Sequence, residues 1–157
     1  MRVGIGYDLH KLVSGRPFIM GGVTIESEKG PAGHSDGDAL CHAIADALLG
    51  AACLGDIGVW FPPEDESYKG ADSIVLLQKV ASAVRDKGYR IINIDSIVIC
   101  EKPKLKAHYP AMRKRLSDAL EIELVALSVK AKTNEKLGEI GEGLAVAAQA
   151  IASIVKT

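Results

Sequence analysis

The chain has 157 residues, enough for one domain with a sizeable core. Its 19 basic and 20 acidic side chains leave a net charge of −1, which excludes a general nucleic-acid or membrane-surface binder. Any anionic ligand must therefore be held by local groups, and a 48% hydrophobic composition with 25% charged residues is that of an ordinary globular protein.

Residues 2–12 alternate and read as a strand, so Asp8 and His10, two apart, point to the same face. Pro17-Phe18-Ile19-Met20 opens a second strand. Gly21-Gly22 ends its first half, and residues 23–26 continue it. Lys29-Gly30-Pro31-Ala32-Gly33 reads as a loop by its Gly and Pro content. An Ala- and Leu-rich helix is expected over 37–53, with Ser35 as N-cap and Asp38 at the third helical position, a capping-box pattern. Asp38, His42 and Asp46 then share one helical ridge. A strand bearing Asp8 and His10, docked on a helix bearing His42, can supply two imidazoles and a carboxylate to one ion. With a fourth position open, that describes a catalytic rather than a structural zinc site. Asp36, Asp38 and Asp46 would repel phosphate and read as capping or supporting groups.

Residues 54–70 read as a long loop, the kind that is usually functional or mobile. An amphipathic helix is expected over 73–87, ended by Gly88. A strand follows over 89–100, then a helix over about 105–120 with Pro103 at its start. Residues 124–133 read as a strand with Val125, Leu127, Val129 and Ala131 facing one way, and residues 142–155 as a final Ala-rich helix. The order β-β-α-α-β-α-β-α predicts an α+β single domain. Its architecture would be a mixed four-stranded sheet with helices on one face, of split β-α-β, ferredoxin-like type. The helices are apolar for so small a layer, so one sheet face is expected to pack against another subunit. Cys41, Cys53 and Cys100 form no C-x-x-C and suit a reducing compartment. Met1-Arg2-Val3-Gly4 opens no signal or transit sequence, so a cytoplasmic location is expected.

Several stretches are specific in combination. They are Gly6-Tyr7-Asp8-Leu9-His10, His34-Ser35-Asp36-Gly37-Asp38 with His42 and Asp46, Leu54-Gly55-Asp56-Ile57-Gly58, and Phe61-Pro62. They continue through Tyr68-Lys69-Gly70-Ala71-Asp72-Ser73, Pro103-Lys104 and Thr133-Asn134-Glu135-Lys136-Leu137-Gly138. Nearly end to end, the chain resembles the 2-C-methyl-D-erythritol 2,4-cyclodiphosphate synthase family. The resemblance implies a metal-dependent phosphorus–oxygen lyase of the non-mevalonate isoprenoid pathway, with residues 1–157 as one catalytic domain. It would convert 4-diphosphocytidyl-2-C-methyl-D-erythritol 2-phosphate to the cyclodiphosphate and CMP. It further implies a homotrimer with an active site at each subunit interface, and neither a nucleic-acid nor a membrane partner.

The residues matching Asp8, His10 and His42 would hold Zn2+, and Glu135 would hold Mg2+ or Mn2+ at the diphosphate. His34 and Thr133 would help stabilise the transition state. Asp8, His10, His34 and Ser35 would also touch substrate, Ser35 being equally readable as a plain N-cap. Asp56 would bind the erythritol hydroxyls, an Asx-turn being the other reading, with Ile57 and Gly58 beside it. Phe61 and Asp65 lie in a stretch that would cover the substrate. Cys100, Pro103, Lys104, Leu105 and Lys106 match the cytidine pocket, although the stretch alone reads as a turn with solvated lysines. Lys132, Thr133 and Glu135 complete the phosphate contacts. Two departures stand out. Pro63 replaces the Asp of many relatives. Glu139-Ile140-Gly141-Glu142-Gly143 is shorter than their loop and lacks the Arg that can bind an isoprenoid diphosphate on the trimer axis.

Overall fold

The computed structural model describes residues 1–157. Strands β1 (Arg2–Ser14), β2 (Phe18–Met20), β3 (Val23–Ile25) and β4 (Lys29–Pro31) come first. Helix α1 (Ala39–Ala52), the single turn α2 (Ile57–Trp60) and helix α3 (Ser73–Asp86) follow. Then come β5 (Tyr89–Ile99), α4 (Tyr109–Leu120), β6 (Leu127–Lys132), the short α5 (Gly138–Gly141) and β7 (Ala145–Lys156).

The main sheet has five strands in the order β4-β1-β7-β5-β6, not four. Strand β7 runs antiparallel to both neighbours, while β5 and β6 are parallel and joined through α4, as expected of the β-α-β unit. The expected second strand lies outside this sheet. Gly21 and Gly22, at φ +59° and +71°, turn it into a separate β2-β3 hairpin, the backbone that a two-residue connection with matching twist requires. The expected loop at 29–33 contributes β4, which pairs with residues 12–14 of β1.

The largest correction is β7, expected as a helix over 142–155. Alanine is the best helix former in isolation, but propensity yields to tertiary packing. Val146, Ala148, Ala150, Ala152 and Ile154 alternate along β7 and are buried against the helical layer. Small side chains there let α1 lie close on the sheet. The same demand explains Gly4 and Gly6 on β1. A Cβ on Gly4 would stand 2.0 Å from the Ala47 carbonyl oxygen, and one on Gly6 would stand 1.9 Å from that of Ala43. Smaller corrections follow elsewhere. Residues 124–126 form a 3-10 turn that leaves Val125 exposed, so only Leu127, Val129 and Ala131 face the interior. The fourth helix starts at Tyr109, after a separate turn at Lys106–His108. Residues 54–70 hold α2 and a turn at Glu66–Tyr68.

Helices α1, α3 and α4 stack over one face of the sheet, around one apolar cluster. The opposite face has no helical cover. There Val3, Ile5, Tyr7 and Leu9 of β1 are each 50% exposed or more, beside Ile151 of β7. No helix is long and apolar enough to cross a membrane.

Candidate active site

Alternation on β1 turns Asp8 and His10 toward α1, and Gly6 beneath Ala43 lets the first turn of α1 approach them. His42 sits on that turn. Asp8 Oδ2 lies 2.8 Å from both His10 Nε2 and His42 Nδ1, and those two nitrogens lie 3.2 Å apart. Donors at about 2.1 Å from a tetrahedral ion stand about 3.4 Å from one another, so the three atoms need to spread by only about 0.2–0.6 Å to seat one.

The surrounding hydrogen bonds test whether a metal fits. His10 Nδ1 is 2.6 Å from the Ala32 carbonyl oxygen, which only accepts, so the ring proton sits on Nδ1 and Nε2 presents a lone pair. His42 Nε2 is 2.8 Å from Ser73 Oγ, an oxygen whose own proton goes to Asp36. His42 Nδ1 is then bare as well. Two imidazole lone pairs and a carboxylate oxygen converge, an arrangement that repels itself without a cation between them. The donor set therefore fits a divalent transition metal. In the protein without metal, charge sharing answers the same need. Burial pushes the Asp8 carboxyl up, but the neighbouring His10 and His42 rings, when protonated, outweigh it and hold Asp8 below the usual carboxylate range. Burial likewise opposes charge on His10, and the Asp8 carboxylate more than offsets it, raising that imidazole.

Asp38, not Ser35, is the N-cap of α1. Its fully buried carboxylate accepts from the Gly21, Gly22 and Cys41 amides. Within α1 that carboxylate meets the Cys41 amide, and its other two bonds tie the helix start to the β2-β3 hairpin. Ser35 Oγ instead faces His42 Nε2 at 3.2 Å. Arg16 braces the turn between them, donating to the Gly33 and Ser35 carbonyls at 3.3 and 2.9 Å. His34 lies alongside, its Nε2 3.1 Å from the Asp65 carbonyl oxygen. Asp46, one turn beyond His42, accepts from the Ile57 amide at 2.7 Å, and burial raises its pKa. This bond docks α2 beside the triad. Asp56 is the N-cap of α2: its Oδ1 accepts from the Val59 amide at 3.0 Å, three residues on rather than the two of an Asx-turn, and Oδ2 stays free. Gly58 and Asp65 are exposed, and buried Phe61 stacks edge-on against Tyr68 with Lys79 over both rings.

A second group of expected site residues gathers at the far edge of the sheet, beyond β5 and β6. The Cys100 amide donates to the Lys132 carbonyl, and burial pushes the Cys100 thiol up to about 11. The Glu101 carboxylate gathers the Asn134 and Lys136 amides, and Thr133 Oγ1 donates to Glu135 Oε1 at 2.7 Å. Glu135 and Lys136 adopt φ of +52° and +61° in this tight bend. Leu105 is buried, whereas Lys104, Lys106 and Lys132 are exposed. Lys102, Pro103, Lys104 and Lys136 border a cleft of about 750 Å3.

These two groups do not meet within one chain. Asp8 pairs with Ala148, Ala148 with Val98, and Val98 with Ala131. Three strand spacings, about 14 Å, thus separate the triad from the strand leading to Thr133 and Glu135. No local pattern marked Ser73 or Arg16 as supports. Ser73 is 31 positions from the imidazole it meets, and only the fold joins them.

A family model described as the YgbB family matches residues 1–155. The chain belongs to the YgbB family. A 2-C-methyl-D-erythritol 2,4-cyclodiphosphate synthase from a Synechococcus species is 57% identical over 99% of each chain. A solved structure of a 2C-methyl-D-erythritol-2,4-cyclodiphosphate synthase in its CDP-bound form is 35% identical with a TM-score of 0.90. That alignment covers 98% of this chain and 100% of the other. The bifunctional IspDF of Campylobacter jejuni matches with a TM-score of 0.96 and 39% identity, over 99% of this chain and 42% of that longer one. Membership of the YgbB family thus extends over both groups of residues, not over the metal triad alone.

Proposed function

We propose that residues 1–157 form the catalytic domain of a cytoplasmic cyclodiphosphate synthase. It converts 4-diphosphocytidyl-2-C-methyl-D-erythritol 2-phosphate to 2-C-methyl-D-erythritol 2,4-cyclodiphosphate and CMP, a step of non-mevalonate isoprenoid precursor synthesis. The observation that carries this reading is the convergence of Asp8, His10 and His42, lone pairs inward, in a YgbB-family chain.

The reaction is an intramolecular phosphoryl transfer. An oxygen of the 2-phosphate bonds to the β-phosphorus, and the bond from that phosphorus to the CMP oxygen breaks. The attacking oxygen is already anionic, so no strong base is needed. Mutual repulsion of the anions and near-attack geometry are the obstacles. Zn2+ bound by Asp8, His10 and His42 would polarise a phosphoryl oxygen, and Mg2+ or Mn2+ bound by Glu135 would offset charge on the departing phosphate. The rest falls to the protein. Asp56, with Oδ2 free, holds the erythritol hydroxyls beside Ile57 and Gly58. Phe61 and Asp65 lie in the covering segment, His34 and Ser35 flank the triad, and His34 and Thr133 donate toward charge developing in the transition state. Backbone groups at Cys100, Pro103, Leu105 and Lys106 read the cytosine edge, and Lys104 and Lys132 bring positive charge to the phosphates.

The separation of the two groups supports a site shared between subunits of a homotrimer. The uncovered apolar face of β1 and β7 is the surface that such an assembly would bury. A mixing experiment tests chemistry and assembly together. Asp8→Ala and Glu135→Ala chains, each inactive, are dissociated, mixed equally and reassembled, and products are followed by 31P NMR. About a quarter of the sites then draw both halves from intact surfaces, and CMP and cyclic product reappear. Activity that stays at the level of the separate mutants, despite proven subunit exchange, would overturn the shared site. Release of inorganic phosphate by the unmutated protein, in place of cyclic product, would overturn the reaction.

A further inference from the structure

His42 is gripped from behind as well as from the metal side. Its Nε2 lies 2.8 Å from Ser73 Oγ. Ser73 is buried at the start of α3. Its hydroxyl reaches Asp36 Oδ1 at 2.5 Å, and its amide donates to Asp36 Oδ2 at 3.0 Å. A hydroxyl carries one proton and a carboxylate carries none. Once that proton is given to Asp36, Ser73 Oγ can only accept from His42. Asp36 is itself fixed, because its amide donates to the Ala71 carbonyl at 3.1 Å and the neighbouring Gly70 amide donates to the His34 carbonyl at 2.7 Å. Segments 34–36 and 70–71 are thereby laced together just ahead of α3.

The opposite side of the ring explains why this matters. Asp8 Oδ2, 2.8 Å from His42 Nδ1, is a strong acceptor and draws the ring proton toward Nδ1. A proton there would occupy the lone pair that a metal needs. We propose that Asp36 and Ser73 form a relay that keeps the proton on His42 Nε2 and orients the ring, making both positioning residues for the metal. This rests on the triad being a metal site. Ser35 Oγ, at 3.2 Å, is the rival partner for the same nitrogen.

The test compares zinc dissociation constants, measured against a chromophoric chelator, for the unmutated protein, Ser73→Ala, Ser73→Thr, Asp36→Asn, Ser35→Ala and the Asp36→Asn/Ser73→Ala double mutant. In parallel, long-range proton–nitrogen spectra of the metal-free proteins with labelled histidine, at a pH where the His42 ring is neutral, report its tautomer. Ser73→Ala is expected to weaken zinc binding about 10- to 100-fold and to move the proton to Nδ1. Asp36→Asn weakens it less. The double mutant is no weaker than Ser73→Ala, because both residues act through one chain of bonds, and Ser73→Thr, which keeps the hydroxyl, recovers affinity. Zinc binding by Ser73→Ala within about twofold of the unmutated value, with the Nε2–H tautomer retained, overturns the relay and leaves the metal site standing. A larger loss in Ser35→Ala than in Ser73→Ala transfers the role to Ser35 and also overturns it. Failure of the unmutated protein to take up zinc removes both readings.

Discussion

Gly6→Ala puts the contact between β1 and α1 to a direct test. The added methyl would stand 1.9 Å from the Ala43 carbonyl oxygen and 2.7 Å from the Ala47 amide nitrogen. Both are backbone atoms of α1, so no rotamer change relieves them. An ordinary contact begins near 3.4 Å, and α1 must rise by about 1.5 Å to restore it. Overpacking of this kind costs about 3 kcal/mol, which for a chain of this length lowers the melting temperature by roughly 6–12 °C. His42 adjoins Ala43 and moves with the helix. A metal site tolerates only about 0.2 Å of ligand displacement, so zinc affinity falls along with stability. Thermal melting and zinc titration read the two effects separately. Gly50→Ala is the control. Its Cβ would meet nothing nearer than the Ile5 carbonyl oxygen at 3.9 Å, and replacing a helical glycine should stabilise by up to about 1 kcal/mol without touching the site. A Gly6→Ala protein that melts and binds zinc like the unmutated one would refute the close approach of helix and sheet.

Asp38→Ala strips a buried acceptor from the Gly21, Gly22 and Cys41 amides and should cost about 3 kcal/mol in urea unfolding. A loss under about 1 kcal/mol would mean that water replaces the carboxylate. Ile5→Lys places charge on the uncovered face of β1, so light scattering should show a smaller particle while circular dichroism stays unchanged. An unaltered mass would exclude this face as the interface. Zinc at a hundred times its dissociation constant should stabilise by about 2.7 kcal/mol, and chelation should remove that gain. A melting temperature indifferent to zinc would argue against a folded-state metal site.

The elements that showed in the sequence are those whose pattern matches their surroundings. Strand β1 alternates because one face meets α1, and α3 is amphipathic because one side meets the core. The metal triad was legible for the same reason, since Asp8 and His10 share a strand face and His42 a helix face. Strand β7 was not. Its alanines were chosen by the closeness of α1, a constraint that exists only once the sheet is built, and alanine by itself argues for helix. Ser35 looked like a cap because a serine stands before an Ala-rich run. Asp38 took the place by also collecting the Gly21 and Gly22 amides from a distant hairpin. Ser73 was invisible as a partner of His42 because no local pattern links a helix start to a side chain 31 positions earlier.

The central place of β7 carries a consequence for how the chain comes to be folded. It follows every other element in the chain, yet β1 and β5 both need it as a neighbour. Arg2 pairs with Ile154, 152 positions later. At ordinary synthesis rates of about 5–20 residues per second, β1 emerges about 8–30 s before the strand that covers its long edge. During that interval Val3, Ile5, Tyr7 and Leu9 lie on a strand that only the three-residue β4 can flank, a state prone to sticking to other nascent chains. Because β1 and β7 are adjacent and antiparallel, a circular permutant that links residue 157 to residue 1 by a short turn would make them a hairpin. It would turn the longest-range pairing of the fold into a local one and should speed folding accordingly.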